Sequence, residues 1–427
     1  MNEARHKPSA PTTKRWPWLG LLCVLVAFAT QAYAGAAPGI KVVGNQFVTT
    51  SAGTLGLKQV SANQAVVLRG VNISGTEYSC LGDGTNDGSA TVWDTSNLPA
   101  NTSDYQAVVN GMINDWHANV VRIPLNEDCW LGEPTSGRPT MIYGSNYTTP
   151  IVNFISVANA SGLVVEVDLH VGGGPELVDA NSNQIDSFPA MDTNYSLQFW
   201  QSVATQFKNN PSVLFNLSNE PEFLGSGSTA AADWTCYLNG GCNTTACENN
   251  GCQGPNGSGN TWNVQGVASV VTAIRNEGAS NVIIIAGLDY SNQLDDWLTY
   301  VPTYVSDKQI AAGVHIYYDL DCETASCWSS QEGNILAAGY PVVIDETGEG
   351  QNSDKCSGTD TTTMVNWANA PTNSQGTSEP QVGYWFWAFT KAGGCSEPAL
   401  LSNNSTFAPS TKYKYGQVAQ NALTAIQ

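Results

Sequence analysis

A chain of 427 residues with 42% apolar side chains has room for a large core, and only 12% of it is charged, about half the share of an ordinary soluble domain. Sixteen lysines and arginines stand against 36 aspartates and glutamates, a net charge of −20. Such a surface repels phosphate, which excludes nucleic acid as the main partner and disfavours anionic membranes. A neutral partner remains, and the 13 tryptophans and 16 tyrosines hint at carbohydrate, whose flat apolar faces stack on aromatic rings.

Residues 1–34 read as a secretory signal. Arg5, Lys7, Lys14 and Arg15 make a basic start, an apolar run from Trp16 to about Ala29 follows, and Ala32-Tyr33-Ala34 is a small-x-small cleavage site. The run is shorter than the ~20 residues that span a bilayer, and Cys23 follows Leu22 rather than the glycine or alanine of a lipid-anchored leader. The expected product is therefore secreted, cleaved near Ala34, free of the membrane and monomeric. Of the 11 cysteines only Cys23 lies in the leader, and the even remainder in an exported chain predicts disulfides. Cys322 with Cys327, Cys80 with Cys129, and Cys356 with Cys395 are the expected pairs. Cys236, Cys242, Cys247 and Cys252 form a cluster with three possible connectivities. Their spacing lacks the two-residue separation of zinc ribbons, so disulfides are expected there and no metal.

Residues 40–63 read as a short hairpin. Eight runs with strand character then follow: Val66–Ile73, Asn119–Leu125, Leu163–His170, Val213–Glu220, Val282–Gly287, Ile310–Tyr317, Pro341–Glu346 and Gln381–Phe389. Helical stretches fall near 104–117, 149–161, 193–208, 263–276, 292–299, 329–338, 361–369 and 413–425. Strands alternating with helices imply a parallel sheet. Eight such units in roughly 350 residues fit a closed (β/α)8 TIM barrel. The fold class is thus α/β: one barrel over residues 35–427, the hairpin capping its bottom and long disulfide-tied loops at its C-terminal face.

Successive strand side chains point to opposite faces. In the third run Val165, Val167 and Leu169 share the parity expected to face the helices, and Glu166, Asp168 and His170 the parity facing the barrel interior. In the fourth, Asn216, Ser218 and Glu220 form the inward row. Barrel active sites sit where the strands end. Read in order, those ends give Arg122, His170, Asn219 with Glu220, His315 with Tyr317, Glu346 and Trp387. Two carboxyls across a barrel mouth suit glycoside hydrolysis, one protonating the leaving oxygen and the other attacking the anomeric carbon.

Leu68-Arg69-Gly70-Val71-Asn72, Val121-Arg122-Ile123-Pro124, Asp168-Leu169-His170, Asn219-Glu220-Pro221, His315-Ile316-Tyr317 and Trp385-Phe386-Trp387 together resemble glycoside hydrolase family 5, the cellulase family. The resemblance runs from about residue 40 to 425. It implies a retaining β-glycanase with Glu220 as acid/base and Glu346 as nucleophile. It further implies that Asn219 binds the sugar 2-hydroxyl, Arg122 and Tyr317 hold Glu346 ionised, His170 and His315 line the cleavage subsite, and Trp387 is the stacking floor. No cofactor is implied. The expected substrate is β-1,4-glucan, with β-mannan or an exo-acting β-glucosidase as the alternative on the same scaffold, and a non-catalytic carbohydrate-binding barrel as the reading of a different class. With no linker or separate binding module in view, soluble or amorphous glucan is expected over crystals.

The chain departs from the family's usual Gly-Glu-Phe-Gly at Asp345-Glu346-Thr347-Gly348-Glu349. By parity Asp345 is expected to face the helices. Glu222 and Glu349 lie past their strands and read as loop residues. Trp385 shares the parity of Trp387, so either could be the floor. Glu127, Asp128 and Trp130 follow the second strand and are either cleft residues or a loop tied down by Cys129. Trp93 and Trp328 are weaker platform candidates. Asp83 and Asp87 lack a calcium-loop spacing, so no metal is expected there either. Asn216 starts a glycosylation sequon inside a barrel strand, where a glycan would not fit.

Overall fold

The computed structural model describes residues 35–80, 93, 105–132, 143–172, 190–221, 230–245, 261–318, 320–349, 356–391, 398–411 and 414–425. The expected leader lies outside them, as do Asp83, Asp87, Glu222, Cys247, Cys252 and Cys395. Among the described residues no helix is long and apolar enough to cross a membrane.

Eight parallel strands close into a barrel: β1 (Arg69–Asn72), β2 (Val120–Asn126), β3 (Val164–Val171), β4 (Val213–Asn216), β5 (Ile283–Ala286), β6 (Ile310–Ile316), β7 (Val342–Thr347) and β8 (Gly383–Phe386). Each pairs with its neighbour in chain order, and β8 returns to β1. The eight expected strands are these eight. β4 ends at Asn216 and β8 at Phe386, so Glu220 and Trp387 stand on the turns just beyond, as loop-borne residues of a barrel mouth do. β1 and β2 approach so closely that a side chain at Gly70 would collide with the Val120 carbonyl.

The parity expectation holds through most of the barrel. Val165, Val167, Leu169, Val213, Phe215 and Leu217 pack outward into the large core shared with the surrounding helices. Val120, Val164, Leu214, Ile284, Val343 and Trp385 pack inward with Leu68 to fill the lower barrel. That inner cluster also takes in Ile40, Phe47, Leu55 and Val60, from the hairpins Ile40–Val43/Gln46–Thr49 and Gly53–Leu55/Lys58–Val60. The N-terminal segment therefore caps the barrel bottom, as two hairpins rather than one.

The helix Ala230–Asn239 was not expected. It sits where the sequence reads as a cysteine cluster, and Cys236 on it pairs with Cys242 just beyond. The disulfides Cys80–Cys129 and Cys322–Cys327 are those expected, and Cys356 is also disulfide-bonded. The aromatic abundance mostly serves packing: Trp116, Trp200, Trp234, Trp297, Trp328 and Trp385 are fully buried. Trp200 and Trp297 donate their indole N–H to the carbonyls of Leu217 and Ile285, which pins two helices to the sheet.

Candidate active site

A single buried guanidinium organises the mouth of the barrel. Arg122 on β2 donates from Nε to Glu166 (3.0 Å), from one terminal nitrogen to Glu346 Oε2 (2.7 Å) and Asn72 (3.1 Å), and from the other to Asn219 Oδ1 (2.6 Å). Asp168 lies 3.1 Å from that last nitrogen. Burial pulls the Arg122 pKa down, but Asp168, Glu346 and Glu166 more than reverse this, so the cation is permanent. The second oxygen of Glu346 accepts the Tyr317 hydroxyl at 2.6 Å. Burial pushes the Glu346 carboxyl up. The charges of His315, Arg122 and His170, with the Tyr317 hydrogen bond, outweigh it and hold the carboxyl below its ordinary 4.5. Glu346 is thus an ionised carboxylate with both oxygens oriented, the state a nucleophile needs.

Glu220 faces it from the turn after β4. Its Oε1 lies 2.8 Å from His315 Nδ1, and its side chain is 18% exposed against 7% for Glu346. One side-chain atom each of Glu220, His315 and Glu346 lies within 4.8 Å of the others. These are the donor types of a metal site, but Arg122 and Tyr317 already occupy both oxygens of Glu346, and a guanidinium at 2.7 Å opposes a second cation. His170 bonds through Nδ1 to Asp168 (3.0 Å) and stacks on Trp387, with ring centroids 5.5 Å apart and planes 13° apart. Trp387 is half-buried whereas Trp385 is fully buried in the lower barrel. Of these two, Trp387 is the one with a ring face to offer a ligand.

A model of the cellulase family, glycosyl hydrolase family 5, matches residues 84–393. The chain belongs to that family. This family-5 glycoside hydrolase also resembles solved structures at low identity, which speak to the fold alone. The β-glucanase SdGluc5_26A from Saccharophagus degradans is 18% identical, with a TM-score of 0.59 over 92% of this chain and 95% of that one. The cellulase Cel5C_n is 17% identical, with a TM-score of 0.53 over 92% and 93%. A β-mannanase from Thermomonospora fusca, solved with mannotriose, is 14% identical, with a TM-score of 0.54 over 92% and 98%.

The eight residues singled out at the strand ends of the family-5 barrel stand in one constellation. Asp345 does not lie on the helix side, where parity counted from Glu346 puts it. Along β6 and β7, Val314 pairs with Ile344 but His315 with Glu346. Against β8, Ile344 pairs with Tyr384 but Thr347 with Phe386. Both neighbours find one extra residue on β7, a β-bulge. Asp345 continues the inward row of Val343, the bulge brings Glu346 to that same side, and the fully buried Asp345 accepts through Oδ2 from Asn216 Nδ2 at 2.5 Å. Asn72, Glu166, Asp168 and Asn216, which support Arg122 and Asp345, were not singled out either. Acids and amides on the inward parity of otherwise apolar strands were the signal.

The segment after β2 is not a cleft surface. Glu127–Leu131 is a short helix capped by the Asn126 side chain. Glu127 and Asp128 are buried, and Trp130 is 5% exposed, its ring against Phe199 and Phe207. Its indole N–H donates to Ser202. Trp93 packs on Tyr105 and Phe154, and Trp328 on Trp367, both buried. Glu349 accepts from Gly358 and Thr361 at the start of helix Thr359–Asn369, a favourable place for a carboxylate. Asn216 is fully buried, which leaves no room for a glycan.

Proposed function

We propose that this family-5 hydrolase is a secreted enzyme that cleaves β-1,4-glucan with retention of configuration. The observation that carries the reading is the pair of glutamates: Glu346 clamped between Arg122 and Tyr317, and Glu220 within 4.8 Å of it. Retaining enzymes hold their carboxyls about 5–5.5 Å apart, and inverting ones leave about 6.5–9.5 Å for a water. A Glu346 oxygen attacks the anomeric carbon while Glu220 gives its proton to the departing glycosidic oxygen. The C–O bond to the leaving sugar breaks as the glycosyl ester forms. Glu220, now ionised, takes a proton from water, whose oxygen displaces Glu346. Asn219, held by Arg122, reaches the sugar 2-hydroxyl, and the Trp387 face supports the ring in the cleavage subsite.

The glucan assignment is tested with a panel of soluble cellulose, mannan, xyloglucan and aryl β-glycosides, read as reducing sugar or released phenol. Strongest turnover of cellulose is expected, and a preference for mannan would overturn it. Proton NMR of the first product should show the β-anomer before mutarotation. An initial α-anomer would exclude Glu346 as the nucleophile. The absence of any turnover would leave a binding barrel instead.

A further inference from the structure

Two buried polar atoms of the site lack hydrogen-bond partners, and they face each other. His315 Nε2 and Asp345 Oδ1 are both without a partner and lie 3.8 Å apart. The remaining polar atoms of both side chains are engaged: His315 Nδ1 with Glu220 at 2.8 Å, and Asp345 Oδ2 with Asn216 at 2.5 Å. Asn216 also donates to Glu166 at 3.1 Å, so the Asp345 carboxyl is braced from below. It is also given space. A side chain at Gly313 of β6 would place its Cβ 2.8 Å from Asp345 Oδ2.

We propose that Asp345 is a positioning residue that holds His315 by its Nε2 edge and, through it, sets how tightly the His315–Glu220 pair keeps the proton that Glu220 delivers. The inference rests on Glu220 being the acid/base. With Asp345 facing Nε2, the neutral imidazole carries its hydrogen there. Nδ1 is left as an acceptor for the protonated Glu220 carboxyl. The pair shares one proton, and its titration belongs to both groups. His315 is faced by Glu220 after β4 and by Asp345 and Glu346 on β7. Asp345 is faced by His315, by Arg122 on β2, by Glu166 on β3 and by Tyr237 of helix Ala230–Asn239. Arg122 is paired with Glu166, Asp168 and Glu346, and the Asp345 charge is felt by Glu166 and Arg122 as well as by the imidazole. Burial pulls His315 down, while Glu346, Glu220 and Asp345 raise it above its ordinary 6.5. A negative group beside the pair strengthens its hold on the shared proton.

Asp345→Asn keeps the shape and removes the charge. The alkaline limb of kcat/KM, where the pair loses its proton, should move to lower pH by about one unit, the low end of what a charge within 4–6 Å does. Selectively ¹⁵N-labelled histidine NMR reads the same contact without substrate. In the wild type the neutral His315 ring should carry its hydrogen on Nε2, and its titration midpoint should fall in Asp345→Asn. A wild-type ring protonated on Nδ1 instead overturns the proposal, whether or not the variant folds. So does a folded variant whose alkaline limb and ring titration both stay within about 0.2 units of wild type, a small fraction of the shift such a charge gives. If the ring behaves as expected but the wild type cleaves no β-glycan, the contact stands and the hydrolase reading of the site fails. A shifted ring titration with an unmoved limb would mean that Asp345 acts on His315 but not on the proton used in catalysis, which also overturns the proposal.

Discussion

The lower and upper halves of the barrel interior are built on the same strands and the same inward row, yet they do opposite things. Two residues further along a strand, Val120 gives way to Arg122, Val164 to Glu166, Leu214 to Asn216 and Val343 to Asp345. The lower members are apolar and closed off by the hairpins. The upper members are buried charges and amides that solvate one another. Burial of apolar surface stabilises, whereas burial of charge costs several kcal/mol per ion before pairing offsets it. The apolar half carries the stability that lets the polar half hold ionised groups away from water.

The first way to break this contrast is Glu346→Ala. It should lower kcat by about 10⁴-fold or more, as loss of a covalent nucleophile does, while thermal unfolding stays close to wild type. Azide should then fill the space on activated aryl glycosides and give the α-glycosyl azide. Near-normal turnover of cellulose would show the site to be elsewhere. Next in size is Arg122→Leu, which leaves Glu166, Asp168 and Glu346 facing each other without their cation. A loss of about 3–5 kcal/mol in unfolding free energy is expected, with the deficit growing as pH rises and the carboxyls ionise. A pH-independent deficit would contradict the electrostatic account. In the lower half, Leu214→Ala should cost about 2–5 kcal/mol through lost burial and a cavity. Activity of the folded fraction should stay within about threefold of wild type, less than a kcal/mol. A large loss of kcat there would dissolve the division between the halves. The smallest effect is on pH. Because Glu346 is held below 4.5, the acid limb of kcat/KM should lie below that value. Tyr317→Phe, which removes one hydrogen bond to the ionised form, should move the limb upward.

The lower half was almost wholly legible in the sequence, because strict alternation with a closed apolar row leaves one arrangement. The eight strands, their order and the capping segment follow from that pattern. The chemical residues were legible where a strand-like run of the sequence ended in or beside one of them, as at His170, Glu220, His315 and Glu346. The pattern failed where alternation itself failed. A bulge adds one residue without any mark in the sequence, and Asp345 was assigned to the wrong face for that reason. The Glu127–Trp130 segment was left open between a cleft site and a loop tied down by Cys129, and the structure decides for the second. Its acids and tryptophan look like a sugar site, and only the packing of Trp130 against Phe199 and Phe207 shows them turned inward. Helix Ala230–Asn239 was hidden by the cysteine cluster that it opens.

The account stands most directly on the identity of the nucleophile. An activated 2-deoxy-2-fluoro β-glucoside or β-cellobioside reacts quickly to form the glycosyl ester, and the fluorine then slows its hydrolysis by destabilising the oxocarbenium-like transition state. Intact-protein mass spectrometry should show one added fluoroglycosyl unit per chain, and peptide mapping should place it on Glu346. A label on Glu220, or on any other carboxylate, would contradict the central claim.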